Sequence, residues 1–381
     1  MKNQNRDPNK CLLIEDVREF SERWGVIARK CEQDEVFPRD IYNAIGQKKW
    51  LGPFVPQEYG GFGGGVSHYV ILEEEFSRRS IPVIGIQIQC EKLLLEFGTE
   101  EQKRKYLPQL SSGELISSTA ITEPEGGSKL YRLSTVAERR GDYIEISGKK
   151  THINLAAESD VMIILVQTGK GPSFVLYDKK EAGHCDIEYR RLKPTALKSS
   201  PVYNVFYRSL LIPKNSIIGE EGMGFEMIKK TFNVSRLGNA AFFIGRSKQI
   251  LANALQYANR RNLSETSVVS DYQGIQWLVS EMAIKIKAAS LLLKDAVEKE
   301  EKGLARGLET SMAKLFAADL GSELAFKIIS LVGSQAVFEN QPYAGFLQEM
   351  AMFRVAGGSL EVLKNHVGKS YSRNPDLLFE C

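Results

Sequence analysis

The sequence is short of the features that mark several common protein classes. Its five cysteines, Cys11, Cys31, Cys90, Cys185 and Cys381, are scattered, with no CxxC pair and no histidine at metal-ligand spacing. Neither a disulfide framework nor a metal site is expected, and the thiols read as reduced in a cytoplasmic protein. The polar start MKNQNRDPNK leads into no apolar signal region, and the longest apolar runs, such as Val161 to Val166, are strand-sized. Neither export nor membrane insertion is therefore expected. Charge of one sign is also lacking: 50 basic and 47 acidic residues leave a formal net charge of +3. With no long single-sign block and no aromatic-spaced basic stripe, nucleic acid is not expected as a partner. There is no internal repeat and no low-complexity tract.

What remains is the composition of an ordinary globular protein, 43% hydrophobic and 25% charged, in a chain of 381 residues that is too long for one small core. From about Ile14 to Gly113 the pattern is mainly helical, broken by VPQEYGGFGGG (Val55 to Gly65), where glycine permits positive φ. Between about Glu114 and Gly219 the period changes. DYIEISG alternates, VMIILV, SFVLY and VYNVFY are short β-rich runs, and Gly141-Asp142 reads as a hairpin turn. After Gly224 helical spacing returns, at Ile244, Leu251, Leu255 and Ala258, then Ile275, Leu278, Met282, Ile286 and Ala289, then Ala317, Leu320, Leu324, Ile328 and Leu331. The expected fold class is α+β, mainly α. It has a helical domain over residues 1–113, a small β domain over 114–222 and a helical bundle of four-helix type over 223–381. Gly357-Gly358 interrupts the last helical pattern, where a functional loop is expected.

Several ordered segments carry more than an architecture. The turn Thr122, Glu123, Pro124, Glu125, Gly126, Gly127, Ser128 offers backbone N–H groups and two hydroxyls, which suit a flavin ring edge and a pyrophosphate; alone it is also a plain surface turn. FGTEEQKRKYLP (Phe97 to Pro108), ITEPEGGS (Ile121 to Ser128), LIPKNSIIGEEGMGF (Leu211 to Phe225), SRLGNAA, YANRR, YQGIQ and GGSLE (Gly357 to Glu361) follow one another in an order that resembles the acyl-CoA dehydrogenase family across nearly the whole chain. The resemblance implies FAD. It places Thr119, Ile121, Thr122, Gly127, Ser128, His152, Ile153 and Asn154 on the flavin side. It also places Arg261 on the pyrophosphate, and Gln273 with the turn Val332, Gly333, Ser334 at the adenosine end across a subunit boundary, with Ser359 and Glu361 as further cofactor residues. A homodimer or homotetramer follows, with an electron-transfer partner or oxygen as electron acceptor.

The resemblance also shows departures. Most members carry a catalytic Glu where this chain has Gly357, and a smaller group carries it just before the arginine of the first bundle helix, where this chain has Ser235 before Arg236. A positioned base contributes about 10²–10⁴ in rate, and neither Gly nor Ser serves unaided. The family's W-x-T/S beside the ring is here His152-Ile153-Asn154, the Asp of its AGSD is Lys129, and a Phe of the family is absent near Ser264. His152 reads either as a structural replacement for Trp or as a catalytic base. His68, His184 and His366 read as surface or capping residues. The catalytic set is thus Gly357 as the vacated position, Ser235, Arg236 and His152. Substrate contacts are expected from Ser128, Asn233, Arg236, Glu91 and Gly357. Gln87, Gln89 and Glu91 lie in GIQIQCEK, the counterpart of the family's pocket helix. They read either as a solvated face or as polar groups suiting a short polar acyl chain.

Three functions are compatible with these residues. The first is oxidation of a short polar acyl thioester, held on an acyl carrier protein in a biosynthetic pathway of extender-unit formation and starting from an O–H rather than a C–H proton, with CoA as the other possible carrier. The second is a flavin-dependent monooxygenase, and the third a non-catalytic flavin-binding partner subunit.

Overall fold

The computed structural model describes residues 8–81, 85–127, 133–304 and 307–379. Along the chain the order is helical, β, helical, as the periodicity predicts. Five helices come first: α1 (Pro8–Asp34), α2 (Arg39–Gln47), α3 (Gly65–Arg78), α4 (Gly85–Phe97) and α5 (Glu100–Ser112). The glycine-rich turn between α2 and α3 uses its freedom, since Gly60, Gly63 and Gly65 have φ of 76°, 73° and 80°. Helix α5 starts on a capping box, in which Thr99 Oγ1 accepts the Gln102 N–H and Gln102 Oε1 accepts the Thr99 N–H.

The strands are β1 (Ser117–Ala120), β2 (Val136–Arg140), β3 (Tyr143–Asn154), β4 (Val161–Thr168), β5 (Gly171–Asp178), β6 (Cys185–Leu192), β7 (Val202–Pro213) and β8 (Ile217–Ile218). They form a sheet in the order β6-β7-β3-β2-β4-β5-β8, with β1 parallel to β4. VMIILV is buried on both faces of β4, so the run is continuous rather than alternating. Strand β3 pairs with β7 and slips register between Lys150 and Ile153, where His152 takes a φ of 58°. That bulge turns the end of β3 at the residues expected beside the flavin.

The C-terminal helices are α6 (Gly224–Ala258), α7 (Gln273–Glu301), α8 (Leu308–Val332), α9 (Pro342–Phe353) and α10 (Leu360–Arg373). The chain divides into two compact units, one of Val26–Tyr69 with Pro82–Ser235, the other of Met1–Gly25, Val70–Ile81 and Arg236–Cys381. In the second unit α8 packs against α7, α9 and α10. Ala317, Leu320, Leu324, Ile328 and Leu331 are all buried there. A buried pair, Arg246 Nε to Glu349 Oε2 at 2.6 Å and Nη2 to Oε1 at 3.1 Å, ties α6 to α9. Cys11, Cys31, Cys90 and Cys185 are free thiols. Among the described residues no three or more His, Cys, Asp or Glu side chains are grouped to hold a metal ion, and no helix is long and apolar enough to cross a membrane.

Candidate functional site

In the β-containing unit the end of β1, the turn after it and the end of β3 are brought together. Thr151 N–H donates to the Thr122 carbonyl at 2.9 Å, and Ser118 Oγ donates to the Asn154 carbonyl at 2.9 Å. Thr119, Ile121, Thr122, His152, Ile153 and Asn154 therefore share one neighbourhood. Within it Ile121 and Ile153 are buried, whereas His152 is exposed, its Nδ1 3.1 Å from Thr151 Oγ1. Asn154 Nδ2 donates to Ser200 Oγ at 3.2 Å. Ser128 and Lys129 lie outside the described residues.

A buried ion pair fixes this turn. Lys150 Nζ donates to Glu123 Oε1 at 2.8 Å and to the Ile121 carbonyl at 3.1 Å. Glu123 also accepts Ser134 N–H at 2.6 Å, Ser134 Oγ at 2.7 Å and Thr135 N–H at 3.0 Å. Burial pushes the Glu123 carboxyl up, but Lys150 and the Ser134 donors outweigh it and hold the group down at about 2. Burial lowers Lys150 to about 8, against the opposing pull of Glu123. Thr119 Oγ1 is buried with no partner among the described residues, and Gly127 faces open space. An unpaired buried hydroxyl is costly, so an acceptor or donor from a bound group is expected there. A planar group with polar edges, such as a flavin ring, fits that donor set.

Helix α4 corrects one expectation. Gln87, Gln89 and Glu91 do not form a solvated face: all three are buried. Gln87 and Glu91 share one side, where Tyr42 Oη donates to Gln87 Oε1 and Gln87 Nε2 donates to the Leu110 carbonyl at 2.5 Å and to Glu91 Oε1 at 3.2 Å. Burial drives the Glu91 carboxyl well above the usual range, opposed by Gln87. Gln89 points the other way. Its Nε2 donates to Thr231 Oγ1 at 2.6 Å and its Oε1 accepts from Ser235 Oγ at 2.7 Å. Ser235, one of the two positions where the resemblance leads one to expect a base, is thus a donor to an amide, and Asn233 nearby in sequence is buried.

In the helical unit the other position at which the resemblance leads one to expect a base, Gly357, lies between α9 and α10. Gly357 and Gly358 have φ of 66° and 99°, and Ser359 then caps α10 by accepting the Val362 N–H. Glu361 in the first turn is exposed. Beneath the loop Lys314 of α8, fully buried, donates to the Ala356 carbonyl and to the Gly358 carbonyl, the latter at 2.6 Å. Asn239 Nδ2 of α6 donates to Ala356 O at 3.2 Å. Burial, reinforced by the charge of Arg236, lowers Lys314 to about 7. Arg236 Nη1 is 3.5 Å from Ser311 Oγ, which lies 3.2 Å from His366 Nδ1. His366, read from the sequence as a surface or capping residue, is half-buried in this group, and burial and Arg236 lower it against Glu309.

Lys314 and Asn239 were not singled out from the sequence. The signal for Lys314 was present, since it lies one turn before Ala317 on the same buried stripe of α8. Nothing in the local sequence marks Asn239. Of the residues expected toward the far end of the cofactor, Arg261, Gln273, Gly333 and Ser334 are exposed and Val332 is buried. Arg261 begins a small loop closed by Val269 N–H to the Arg261 carbonyl at 3.0 Å, and Gly333 turns the chain with φ of 60°.

Three family models match the chain: acyl-CoA dehydrogenase N-terminal domain over residues 8–114, middle domain over 118–209 and C-terminal domain over 222–372. A glutaryl-CoA dehydrogenase of Desulfococcus multivorans is 30% identical over 369 residues, spanning 93% of this chain and 94% of that protein. The solved complex of glutaryl-coenzyme A dehydrogenase with glutaryl-CoA superposes with a TM-score of 0.92 at 27% identity, covering 97% of both chains. The prolyl acyl carrier protein oxidase AnaB has a TM-score of 0.89 at 22% identity, over 96% of this chain and 99% of that one, a likeness of fold.

Proposed function

The chain belongs to the acyl-CoA dehydrogenase family of FAD-dependent oxidoreductases, and from that premise we propose that it oxidises a short polar acyl thioester, carried on an acyl carrier protein, without a carboxylate base. The observation that carries this reading is the vacated base position. A Cβ on Gly357 would lie 2.5 Å from Asn239 Nδ2, at a backbone φ that side chains disfavour. The other family position, Ser235, is engaged with Gln89. A substrate oxidised from an O–H does not need a strong base poised over an α-carbon.

FAD, when bound, supplies the two-electron acceptor. On the protein side Thr119, Ile121, Thr122, Gly127, His152, Ile153 and Asn154 would hold its ring, and Ser128 belongs to the same turn. Arg261, Gln273, Val332, Gly333, Ser334, Ser359 and Glu361 would hold the remainder, some from a neighbouring copy. The homo-oligomer is supported by an exposed stripe on α7, Trp277, Ile284 and Leu291, which repeats every seven residues. Gln89 and Asn233 bring buried polar groups to the side of α4 that meets Ser235, as a short oxygenated acyl group requires, whereas Glu91 faces Tyr42 and Gln87 on the other side. The final acceptor of electrons is an electron-transfer partner or oxygen, and the setting is cytoplasmic.

The test is anaerobic mixing of the yellow protein with hydroxyacyl groups on a carrier protein, with the same groups on CoA and with butyryl-CoA. Bleaching by the hydroxyacyl carrier and none by butyryl-CoA is expected, and ready bleaching by butyryl-CoA would refute the reading. Arg261→Ala should weaken FAD retention about tenfold or more, because charge-assisted phosphate contacts are among the stronger hydrogen bonds. Equilibrium dialysis of FAD checks it.

A further inference from the structure

One face of the sheet, over β3, β7 and β6, carries a groove that the residues expected to hold the flavin do not use. Strand pairing sets Lys149 of β3 and Glu188 of β6 on either side of Phe206 of β7. Arg190 and Arg208, each two positions further along its strand, lie on the same face, where both bond Glu188. Together with Ser134, Gly148 and Tyr207 these residues line a volume of about 430 Å³. Small-molecule sites span about 300–1,000 Å³, so the groove is of ligand size and much larger than an inorganic ion needs.

The lining is unbalanced in charge. Lys149, Arg190 and Arg208 stand against the single carboxylate of Glu188, which Arg190 Nε meets at 2.5 Å and Arg208 Nη2 at 2.6 Å. A guanidinium carries five N–H groups, and Glu188 takes one from each arginine. Lys149 gives one of its three to Glu125 of the flavin-side turn, at 2.8 Å and from outside the lining. The Arg190 guanidinium lies over the Phe206 ring, 4.6 Å from its centre, which orients the fork without using its donors. Phe206 is half-buried and Tyr207 buried, so the bed of the groove is aromatic. A phosphate monoester, with a charge of about −1.5 to −2 at neutral pH, matches this excess of cations and the bidentate habit of arginine. The volume beyond the phosphate, against Phe206, suits the organic group that the ester carries.

We propose that this groove binds a phosphate monoester of about mononucleotide size, with Arg190 and Arg208 on the phosphate and Phe206 beside the organic group. The site goes beyond the acyl thioester function and does not depend on it. It borders the flavin-side turn, because Lys149 bonds Glu125 and Ser134 Oγ bonds Glu123 at 2.7 Å. The cofactor site must therefore be filled in any test. A free nucleotide and the 3′-phosphate of CoA are the two sources of such a group.

The experiment uses the FAD-loaded full chain. Adenosine 5′-monophosphate, adenosine, CoA and dephospho-CoA, which lacks the 3′-phosphate, are titrated by calorimetry at low salt. At least one of the two monoesters should bind with a Kd of about 1 mM or tighter. Its counterpart without the monoester should bind at least about tenfold more weakly, as expected on losing charge-assisted bonds. Binding of adenosine 5′-monophosphate identifies a free nucleotide, and binding of CoA alone identifies the carrier's 3′-phosphate. Because the arginine side chains are 62% and 63% exposed, affinity should fall several-fold between low salt and physiological salt. The double variant Arg190→Gln, Arg208→Gln should lose about tenfold or more with the flavin spectrum unchanged. Glu188→Gln, which removes the competing carboxylate, should tighten binding several-fold, a gain that a merely structural role of Glu188 does not give. No saturable binding of either monoester up to about 10 mM overturns the site. So do equal affinities in the parent, the arginine double variant and Glu188→Gln, or adenosine and dephospho-CoA binding as tightly as their monoesters.

Discussion

Among the described residues two lysines are buried, one in each unit, and each fastens a loop, but they do so with different partners. Lys150 meets a carboxylate, Glu123, which is itself bonded by Ser134 and Thr135. Lys314 meets only carbonyls, those of Ala356 and Gly358, and has the cation Arg236 beside it. Their proton affinities differ in the same sense, about 8 for Lys150 and about 7 for Lys314. A loop whose charges are matched internally is a finished structural element. A loop held by an ammonium on carbonyls alone leaves a buried positive charge without a counter-charge. The turn after β1 is thus matched internally in charge, whereas the Gly357 loop is held by an ammonium with no carboxylate partner among the described residues.

The largest effect should come from breaking the matched pair. Lys150→Met leaves Glu123 as a buried charge without its cation and should cost about 3–5 kcal/mol in urea unfolding. Because Glu123 holds the turn after β1, FAD retention should fall with it. Lys314→Met strands no carboxylate and removes only bonds to two carbonyls, so about 1–3 kcal/mol is expected. Equal costs for the two variants would erase the distinction between the loops.

Position 357 gives the next effect. Gly357→Glu places a side chain at φ of 66° and against Asn239, so the strain should destabilise the protein by about 1–3 kcal/mol. Adding Asn239→Gly should recover the part due to the collision, and only the double variant is expected to bleach with butyryl-CoA. Calorimetry and anaerobic mixing check the two halves. A single Gly357→Glu variant as stable as the parent would show that the loop adapts and that Asn239 does not guard the position.

Much of this was legible in the sequence because it is local. The capped start of α5, the continuous apolar run of β4 and the stripe Ala317, Leu320, Leu324 on α8 follow from neighbours within a few residues. That Gly357 and Ser235 stand where the family carries its base is an expectation from the resemblance. What could not be read depends on contacts distant in sequence. Gln89 reaches Thr231 and Ser235, 142 and 146 residues away, so of the two readings of that polar stretch the solvated face is excluded by contacts the local sequence does not contain. Asn239 meets Ala356 across 117 residues. His366 is drawn toward Ser311 by the packing of α10 on α8, which no periodicity within α10 specifies.

The smallest effect separates the two lysines by pH. Both have folded-state affinities below that of an ordinary lysine, about 10.4, so the folded protein binds fewer protons than the unfolded chain above each of those values. Stability should then rise with pH, starting from about 7 for Lys314 and from about 8 for Lys150. The slope is at most about 1.4 kcal/mol per pH unit for one proton. Glu123 acts far below this range: its stabilisation is complete above the ordinary carboxylate value and lost as pH falls toward about 2. His366, lowered from its ordinary value, has released its proton before pH 7 is reached. Between about pH 7 and about pH 8 the rise therefore belongs mainly to Lys314, and should amount to about 1 kcal/mol or less in urea unfolding. Lys314→Met should flatten it and Lys150→Met should not. The same slope in the parent and in Lys314→Met would mean that Lys314 keeps its proton throughout, and the contrast between the two loops would then lie in geometry rather than in charge.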